Sequence, residues 1–264
     1  MARSGRHVRL NFRLFEGIVG TLYTTGGYLK KNPTWHAEDS AWKAARVVDT
    51  LTPEMLLEIK DHLTIAEIGC GAGGVIHHLT GLLTARGYAV RRAIGYDISD
   101  QAIELARNQH PGTNVEFIRQ DFIRTSDRFS LGLVIDVVEH LQDPDEFLCE
   151  ISHRFSYVVL HVPLEDNLEF RLRRKGKDSH EKVGHMHFFS KASAMSLLNK
   201  AGLIPLKWIY TSASIDLLRI HGTIKSYIGI LPRYLLFRLN RDAAARIFAH
   251  FSIMLLCRGK CQFL

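Results

Sequence analysis

The sequence predicts an α/β protein with a doubly wound parallel sheet, and three observations lead to that fold class. Short apolar runs alternate with segments of helical periodicity along most of the chain, an alternation typical of strand–helix–strand units. Two of the runs, residues 131–135 and 157–162, are almost continuously apolar, as expected for strands that are buried on both faces. Glycines or acidic residues follow the ends of several runs, and doubly wound sheets bind ligands at the carboxyl ends of their strands.

The first strand leads into the turn around which the predicted site is organised. The apolar run 63–68 is followed by Gly69, Gly71 and Gly74 and then by a helical pattern. Glycine allows the chain to turn sharply and a ligand to approach the backbone, while the free N–H groups at the start of the helix face that ligand. The stretch therefore predicts a strand, a tight turn and a helix that bind a nucleotide-like ligand.

The same glycines fit the dinucleotide pattern G-x-G-x-x-G, but two carboxylates favour S-adenosylmethionine over a nicotinamide or flavin cofactor. Glu67 stands two residues before Gly69, where its charge would repel a pyrophosphate and attract an ammonium or sulfonium cation. Asp97 follows the second run, residues 92–96, and is placed to accept both ribose hydroxyls. It lies further from the glycines than the roughly 20 residues usual for the dinucleotide fingerprint.

The third strand, residues 115–119, ends in a pair of residues suited to adenine. Asp121 offers a carboxylate for the adenine amino group, and Phe122 offers a ring on which the base could stack. With Ile98 beside Asp97, these residues complete a predicted adenosine site that holds no pyrophosphate.

The other elements follow from the same periodicities. Helices are predicted over residues 42–51 and 76–86, and a further one is capped by Ser99 and Asp100. Asp143 and Pro144 start another helix, since proline favours the first helical position. The last two strands are expected at 204–210 and 251–257.

The motifs, taken in order, resemble those of class I S-adenosylmethionine-dependent methyltransferases. They are the series from Glu67 through the glycines, then Asp97, then Asp121, and then the stretch 136–144, which is similar to that of the ubiquinone-biosynthesis O-methyltransferase branch. The resemblance covers roughly residues 40–210. It implies a Rossmann-like sheet of seven strands, the last of them antiparallel, in a domain spanning residues 61–264. Residues 1–60 would form an N-terminal helical cap, 163–190 a lid over the acceptor site, and 213–247 a helical insertion before the last strand.

The resemblance also implies roles for residues outside the glycine turn. Lys43, in the segment that closes over the cofactor, would pair with the methionine carboxylate, and Ile135 would lie against the cofactor. Trp35 and His36 are candidates for the acceptor pocket, although an aromatic pair at a helix entry is at least as often a core contact.

A magnesium ion is associated with the acid-x-x-Glu-His pattern in the ubiquinone branch, and Asp136, Glu139 and His140 occupy those positions. Magnesium prefers oxygen ligands, and histidine is an atypical ligand for it. The sequence therefore predicts no required metal. In the alternative, Glu139 and His140 orient the helix that follows.

Three histidines are candidates for the base that takes a proton from the acceptor, because an imidazole titrates near neutrality. His187 and His185, in a Gly-His-x-His-x-Phe stretch before a helix, are preferred to His140. The competing interpretation is that each of these histidines bonds a loop carbonyl.

Composition limits the partners without identifying them. The 264 residues carry a formal net charge of +7, which suits an anionic acceptor or membrane surface. Nucleic acid is not favoured as a partner, because the basic run over 171–182 lacks interleaved aromatic residues. The scattered cysteines and the basic, polar start indicate a cytoplasmic protein. The apolar insertion, with arginines and Pro232 among its residues, excludes a membrane span. Peripheral membrane contact, a packed helical cap and a homodimer all stay open.

The predicted function is O-methylation of a small-molecule, sugar or lipid-linked acceptor, with S-adenosylmethionine as the methyl donor and a histidine assisting. Three alternatives remain: an N-methyltransferase, a non-catalytic cofactor-binding or regulatory protein, and an NAD-dependent oxidoreductase.

Overall fold

The computed structural model describes residues 35, 37–173, 184–217 and 224–261, and these contain one seven-stranded sheet. The strands are β1 (Thr64–Ile68), β2 (Arg92–Asp97), β3 (Val115–Arg119), β4 (Phe129–Ile135), β5 (Phe155–Pro163), β6 (Ile204–Thr211) and β7 (Ser252–Arg258). Their order across the sheet is β3-β2-β1-β4-β5-β7-β6. β1 to β5 are parallel, while β7 runs antiparallel to both β5 and β6. The predicted fold class and the antiparallel last strand are confirmed.

Ten helices accompany the strands in the described part of the chain. They are α1 (Ser40–Thr50), α2 (Pro53–Ile59), α3 (Gly74–Thr84), α4 (Asp100–Gln109), α5 (Pro144–Ser152), α6 (Leu168–Leu172), α7 (Lys191–Ala201), α8 (Ala213–Asp216), α9 (Ile224–Leu239) and α10 (Arg241–Ile247). Two caps form as the sequence predicts: Ala102 N–H donates to Ser99 Oγ, and Glu146 N–H donates to Asp143 Oδ1 ahead of Pro144.

Two hydrophobic clusters cover the two faces of the sheet. One packs α1, α2, α3 and α4 against strand residues such as Leu131 and Val159. The other packs α5, α7 and α10 against Val158 and Leu160 of the same strands. Successive side chains of a strand point to opposite faces, so the apolar central strands supply both clusters and hold their carboxyl ends rigidly in place.

The appendages predicted around the sheet are described only in part. Residues 1–34, which belong to the predicted N-terminal helical cap, lie outside the described residues, as do His36 and the basic stretch 174–183 of the predicted lid. α8, α9 and α10 fall within the predicted insertion 213–247, and Pro232 lies inside α9. Among the described helices, none combines the length and apolar character needed to cross a bilayer.

Candidate functional site

The glycine turn between β1 and α3 needs its glycines for backbone conformation and for space. Gly69, Gly71 and Gly73 all have positive φ, at 71°, 52° and 76°, a region that side chains with a Cβ rarely adopt. A Cβ on Gly71 would lie 2.6 Å from Cδ1 of Trp35. The glycines therefore leave an open space at the turn, called the cradle below, and the Trp35 indole lies on one side of it.

Glu67 lies beneath this turn and is tied to the start of α3. Its side chain is 2% exposed, and Ile76 N–H donates to its Oε2 at 3.0 Å. Burial raises the pKa of Glu67 to about 8, although that hydrogen bond and the nearby Lys43 ammonium oppose the rise. A cation arriving beside Glu67 would favour the ionised carboxylate, because opposite charge lowers a carboxyl pKa.

Asp97 joins the end of β2 to the glycine turn. Its Oδ2 accepts from Gly71 N–H and its Oδ1 from Ser99 N–H, both at 2.9 Å. Burial raises its pKa. Two carboxylate oxygens offer about four acceptor positions, so the two backbone donors leave capacity for about two more hydrogen bonds. That capacity fits the pair of ribose hydroxyls predicted for this residue.

The adenine side of the predicted site is formed by Asp121 and Phe122. Asp121 accepts from Ile123 N–H at 3.1 Å and caps a short 3-10 turn. The Phe122 ring is only 1% exposed and stacks on Phe155, with 5.2 Å between ring centroids. Phe122 also lines the cavity described below, so its stacking on adenine stays a prediction. Ile98 and Ile135, together with Asp121, line the cavity described below.

Lys43 on α1 lies among acidic side chains. Its Nζ is 3.1 Å from Asp39 Oδ1 and 3.0 Å from Asp136 Oδ2. Burial lowers the pKa of Lys43, but the charges of Asp136 and Asp39 outweigh it and raise the pKa above its usual value. The pairing with a methionine carboxylate remains a prediction, and these two carboxylates are the partners that the structure gives.

Asp136 continues this network to a histidine that sequence reasoning missed. Asp136 follows β4 with a φ of 54°, and its Oδ1 is 2.6 Å from His161 Nδ1, whose Nε2 is 2.8 Å from Thr211 Oγ1. Burial raises the pKa of Asp136, but His161 and Lys43 outweigh it and hold the pKa far below its usual value. The one signal for His161 was a polar residue near the end of the apolar run 157–162.

Helix α1 also ties the site to distant parts of the chain. Trp42 Nε1 donates to Asp216 Oδ2 at 3.0 Å, across 174 residues. A Cβ on Gly74 would lie 2.6 Å from Ser40 Cβ, so α1 lies directly on the glycine turn. The segment before β1 therefore forms one wall of the site, in line with a segment that closes over the cofactor.

A second wall carries histidines. His140, in a 3-10 turn after β4, and His185, shortly before α7, lie with ring centroids 4.8 Å apart. His185 Nδ1 is 2.6 Å from Glu165 Oε2, and His140 Nδ1 is 3.2 Å from Gly184 O. Burial and the neighbouring His185 lower the pKa of His140 to about 4.

His187, the first candidate for the base, is placed differently. Its Nε2 is 2.9 Å from Leu141 O, as in the competing interpretation that the loop histidines bond carbonyls. The residues that line the cavity include His140 and His185 but not His187. We therefore correct the predicted order of the candidates and place His187 last.

One cavity of about 820 Å³ connects the two walls, a volume in the usual range for a small-molecule site. Its lining includes the glycine turn, Glu67, Asp97, Trp35 and His185. It extends past Pro163 and Phe170 toward Ser214 and His250, beyond the carboxyl ends of β4 and β5. One chamber therefore offers room for a cofactor and a neighbouring acceptor.

The three candidate magnesium ligands do not come together in this cavity. Both carboxylate oxygens of Asp136 are occupied, one by Lys43 and one by His161. Glu139 points elsewhere, toward His140 and His185. Because magnesium requires several oxygen ligands, the residues do not fit a magnesium ion held by Asp136, Glu139 and His140.

Sequence comparison adds a family and several relatives. A family model described as a methyltransferase domain matches residues 40–206. Indolepyruvate C-methyltransferase of Streptomyces griseus is 26% identical over 184 residues, which cover 64% of this chain and 54% of that protein. N-methyltransferase 4 of Papaver somniferum is 27% identical over 162 residues, covering 58% of this chain and 44% of that protein. The chain spans about half the length of these curated relatives.

Structure comparison gives the same picture of the fold. The crystal structure of magnesium protoporphyrin IX methyltransferase from Synechocystis PCC 6803, with S-adenosylhomocysteine bound, has a TM-score of 0.55 and 13% sequence identity. The alignment covers 92% of this chain and 98% of that one. The two chains therefore share a fold over nearly their full lengths.

Proposed function

This chain belongs to the methyltransferase domain family, and we propose that it uses S-adenosylmethionine to methylate a hydroxyl group on a small-molecule, sugar or lipid-linked acceptor. The observation that carries the proposal is the arrangement of Asp97 around the glycine turn. Its carboxylate holds Gly71 N–H and Ser99 N–H and retains about two acceptor positions. A ribose has two hydroxyls to donate, and the cradle beside them has no Cβ to obstruct it.

When bound, the cofactor supplies an electrophilic methyl group on a sulfonium, which is an excellent leaving group. The chain's own contribution is mainly orientation, which can lower a barrier by several kcal/mol. Glu67 would balance the positive charge of the cofactor, and Asp97 would fix its ribose. The acceptor oxygen would lie on the histidine wall, where His185, oriented by Glu165, or His140 takes its proton.

An oxygen acceptor is favoured by this histidine wall, since a hydroxyl must lose its proton whereas a neutral amine can attack directly. The named relatives are a C-methyltransferase and an N-methyltransferase, so methylation of nitrogen is the second candidate. The ubiquinone branch, peripheral membrane contact and a homodimer stay predictions. A non-catalytic cofactor-binding protein and an NAD-dependent oxidoreductase are the outcomes that the experiments below must separate from these.

The cofactor assignment is tested by titration calorimetry with S-adenosylmethionine, S-adenosylhomocysteine and NAD. The wild type should bind both sulfur ligands and not NAD. Asp97→Asn should weaken that binding by about tenfold to 150-fold, because a hydrogen bond to a charged acceptor contributes about 1.5–3 kcal/mol. Asp100→Asn is the matched control, since Asp100 lies at the exposed start of α4 and pairs with Arg119. Binding of NAD alone would overturn the proposal.

The acceptor class is tested with the methyl group of the cofactor labelled with ¹³C. Panels of hydroxyl, amine and carboxylate compounds are incubated with the protein, and the chemical shift of the product methyl identifies the atom that bears it. A methyl on nitrogen would move the assignment to the second candidate. Tight cofactor binding without turnover on any panel would support the non-catalytic alternative.

A further inference from the structure

Three side chains on the histidine wall lie close enough to share one ion. One ligand atom from each of Glu139, His140 and His185 lies within 4.8 Å of the others. Glu139 and His140 are adjacent in the turn after β4, and His185 comes from the segment before α7. The two segments are fastened together, since Met186 N–H donates to Glu139 O at 2.8 Å.

Glu139 is the member of this cluster that its surroundings leave unsatisfied. The side chain is 1% exposed, and neither carboxylate oxygen has a hydrogen-bond partner in the described part of the chain. A buried carboxyl group without a partner is costly. His140 Nε2, at 4.0 Å from Glu139 Oε1, is too far away to donate to it. A cation between these atoms would satisfy the carboxylate.

The two imidazole rings are held in the way that metal-binding histidines usually are. Histidine ligands generally use their second ring nitrogen to bond a carboxylate or a backbone carbonyl, which fixes the ring. Here His185 Nδ1 is 2.6 Å from Glu165 Oε2, and His140 Nδ1 is 3.2 Å from Gly184 O. Both rings are therefore oriented by contacts made through Nδ1.

We propose that Glu139, His140 and His185 bind one divalent transition-metal ion of the zinc class. Imidazole nitrogens suit zinc, iron and nickel, whereas magnesium requires oxygen. One carboxylate and two imidazoles are three protein ligands, and catalytic zinc sites combine such a set with a position for water or substrate. All three residues line the large cavity, so that position would face the acceptor. The site differs from the three candidate magnesium ligands named from the sequence, because His185 replaces Asp136.

A metal here would change how the acceptor is activated, and this consequence rests on the proposed function. With an ion bound, His140 and His185 are ligands and do not take the proton. An acceptor hydroxyl coordinated to the ion would release its proton to solvent water more readily, as metal-bound water does. Ion binding itself depends on the three side chains and is measured separately from cofactor binding.

The test is metal binding by the full chain, with any affinity tag removed. After chelator treatment and dialysis, calorimetry with Zn²⁺ should give one tight site, and Co²⁺ should give the visible bands of a coordinated ion. Zn²⁺ should also raise the melting temperature, because ligands that bind the folded state stabilise it. A wild type that binds neither ion, or that takes Mg²⁺ equally well, would overturn the inference.

Variants assign the site to the three residues. Glu139→Gln and His185→Ala should each weaken Zn²⁺ binding by at least tenfold, and Glu165→Gln by about 10–100-fold through loss of ring orientation. His187→Ala is the matched control, since this histidine lies in the same segment but bonds Leu141 O, and its Zn²⁺ affinity should equal that of the wild type. Circular dichroism checks that each variant is folded, and two independent ligand variants keep the test decisive if one fails to fold.

A second group of histidines, formed by His77, His78 and His110, is the alternative location for the ion. The rings of His77 and His110 are stacked with centroids 4.3 Å apart, and His78 is 5.3 Å from His77. Should His77→Ala abolish Zn²⁺ binding while Glu139→Gln and His185→Ala leave it intact, the ion would belong to that cluster and the inference would be wrong.

Discussion

Replacing Gly73 with alanine tests the geometry of the glycine turn, and Gly87 provides the matched control. Gly73 has a φ of +76° and Gly87 a φ of +84°, so alanine at either position must adopt the left-handed conformation, at a cost of about 1–2 kcal/mol. Their surroundings differ. A Cβ on Gly73 would lie 2.3 Å from Phe117 Cε1 and 3.1 Å from Ala106 Cβ, whereas a Cβ on Gly87 would have nothing within 4 Å.

The magnitude follows from this difference. Forcing an extra carbon into a packed site costs about 1–3 kcal/mol, in addition to the backbone cost that both variants share. Gly73→Ala should therefore lower the free energy of unfolding by about 2–5 kcal/mol, and Gly87→Ala by about 1–2 kcal/mol. The Phe117 ring would have to move, and Gly73 precedes the first residue of α3, so the turn should shift with it.

Urea denaturation followed by circular dichroism measures both values, since the free energy of unfolding falls linearly with denaturant. Cofactor affinity, measured by calorimetry on the same samples, should fall for Gly73→Ala and stay at the wild-type value for Gly87→Ala. Equal losses of stability in the two variants would refute the reasoning, because they would show that the contact with Phe117 contributes nothing.

Three further predictions follow from charge and burial. Burial raises the pKa of Glu67 from 4.5 to about 8, so between these pH values the folded state holds a proton that the unfolded chain has released. The free energy of unfolding should therefore fall as the pH rises through that interval. Glu67→Gln should flatten this part of the pH profile, measured by urea titration. Lys43→Met, which removes the cation between two carboxylates, should lower the free energy of unfolding by about 1–3 kcal/mol. The exposed control Lys200→Met should change it by less than about 1 kcal/mol in the same assay. Cys149 is exposed, whereas Cys70 is buried and burial raises its pKa. A thiol reagent should therefore label Cys149 first and Cys70 only after unfolding. Mass spectrometry of peptides measures the order of labelling.

The fold could be predicted because each strand is a local apolar pattern, and the errors at strand ends have a local cause. β4 was expected to begin at residue 131 because Ser130 interrupts the apolar run. In the sheet its hydroxyl donates to Thr64 O at 2.9 Å and accepts from Thr64 N–H at 2.8 Å. A serine satisfied by the neighbouring strand costs nothing to bury, so β4 extends back to Phe129.

The site could be predicted where it depends on adjacent residues and could not where it depends on packing. Gly69, Gly71 and Asp97 follow from the turn itself. The partner of Asp136 is His161, 25 residues away on the next strand, and no local pattern records that pairing. The packing of the Phe122 ring on Phe155 likewise depends on residues distant in the sequence.

The contact between Trp42 and Asp216 carries a consequence for how the protein acquires its site. The hydrogen bond joins residues 174 positions apart, and within the same loop Lys207 Nζ donates to Asp49 O across 158 positions. Long loops are entropically costly to close early, and contacts of large sequence separation slow folding. The glycine turn and its strand form locally, but the wall that α1 places over them requires the second half of the chain. During refolding, secondary structure should therefore return before ligand binding, and binding competence should mark the last step of assembly.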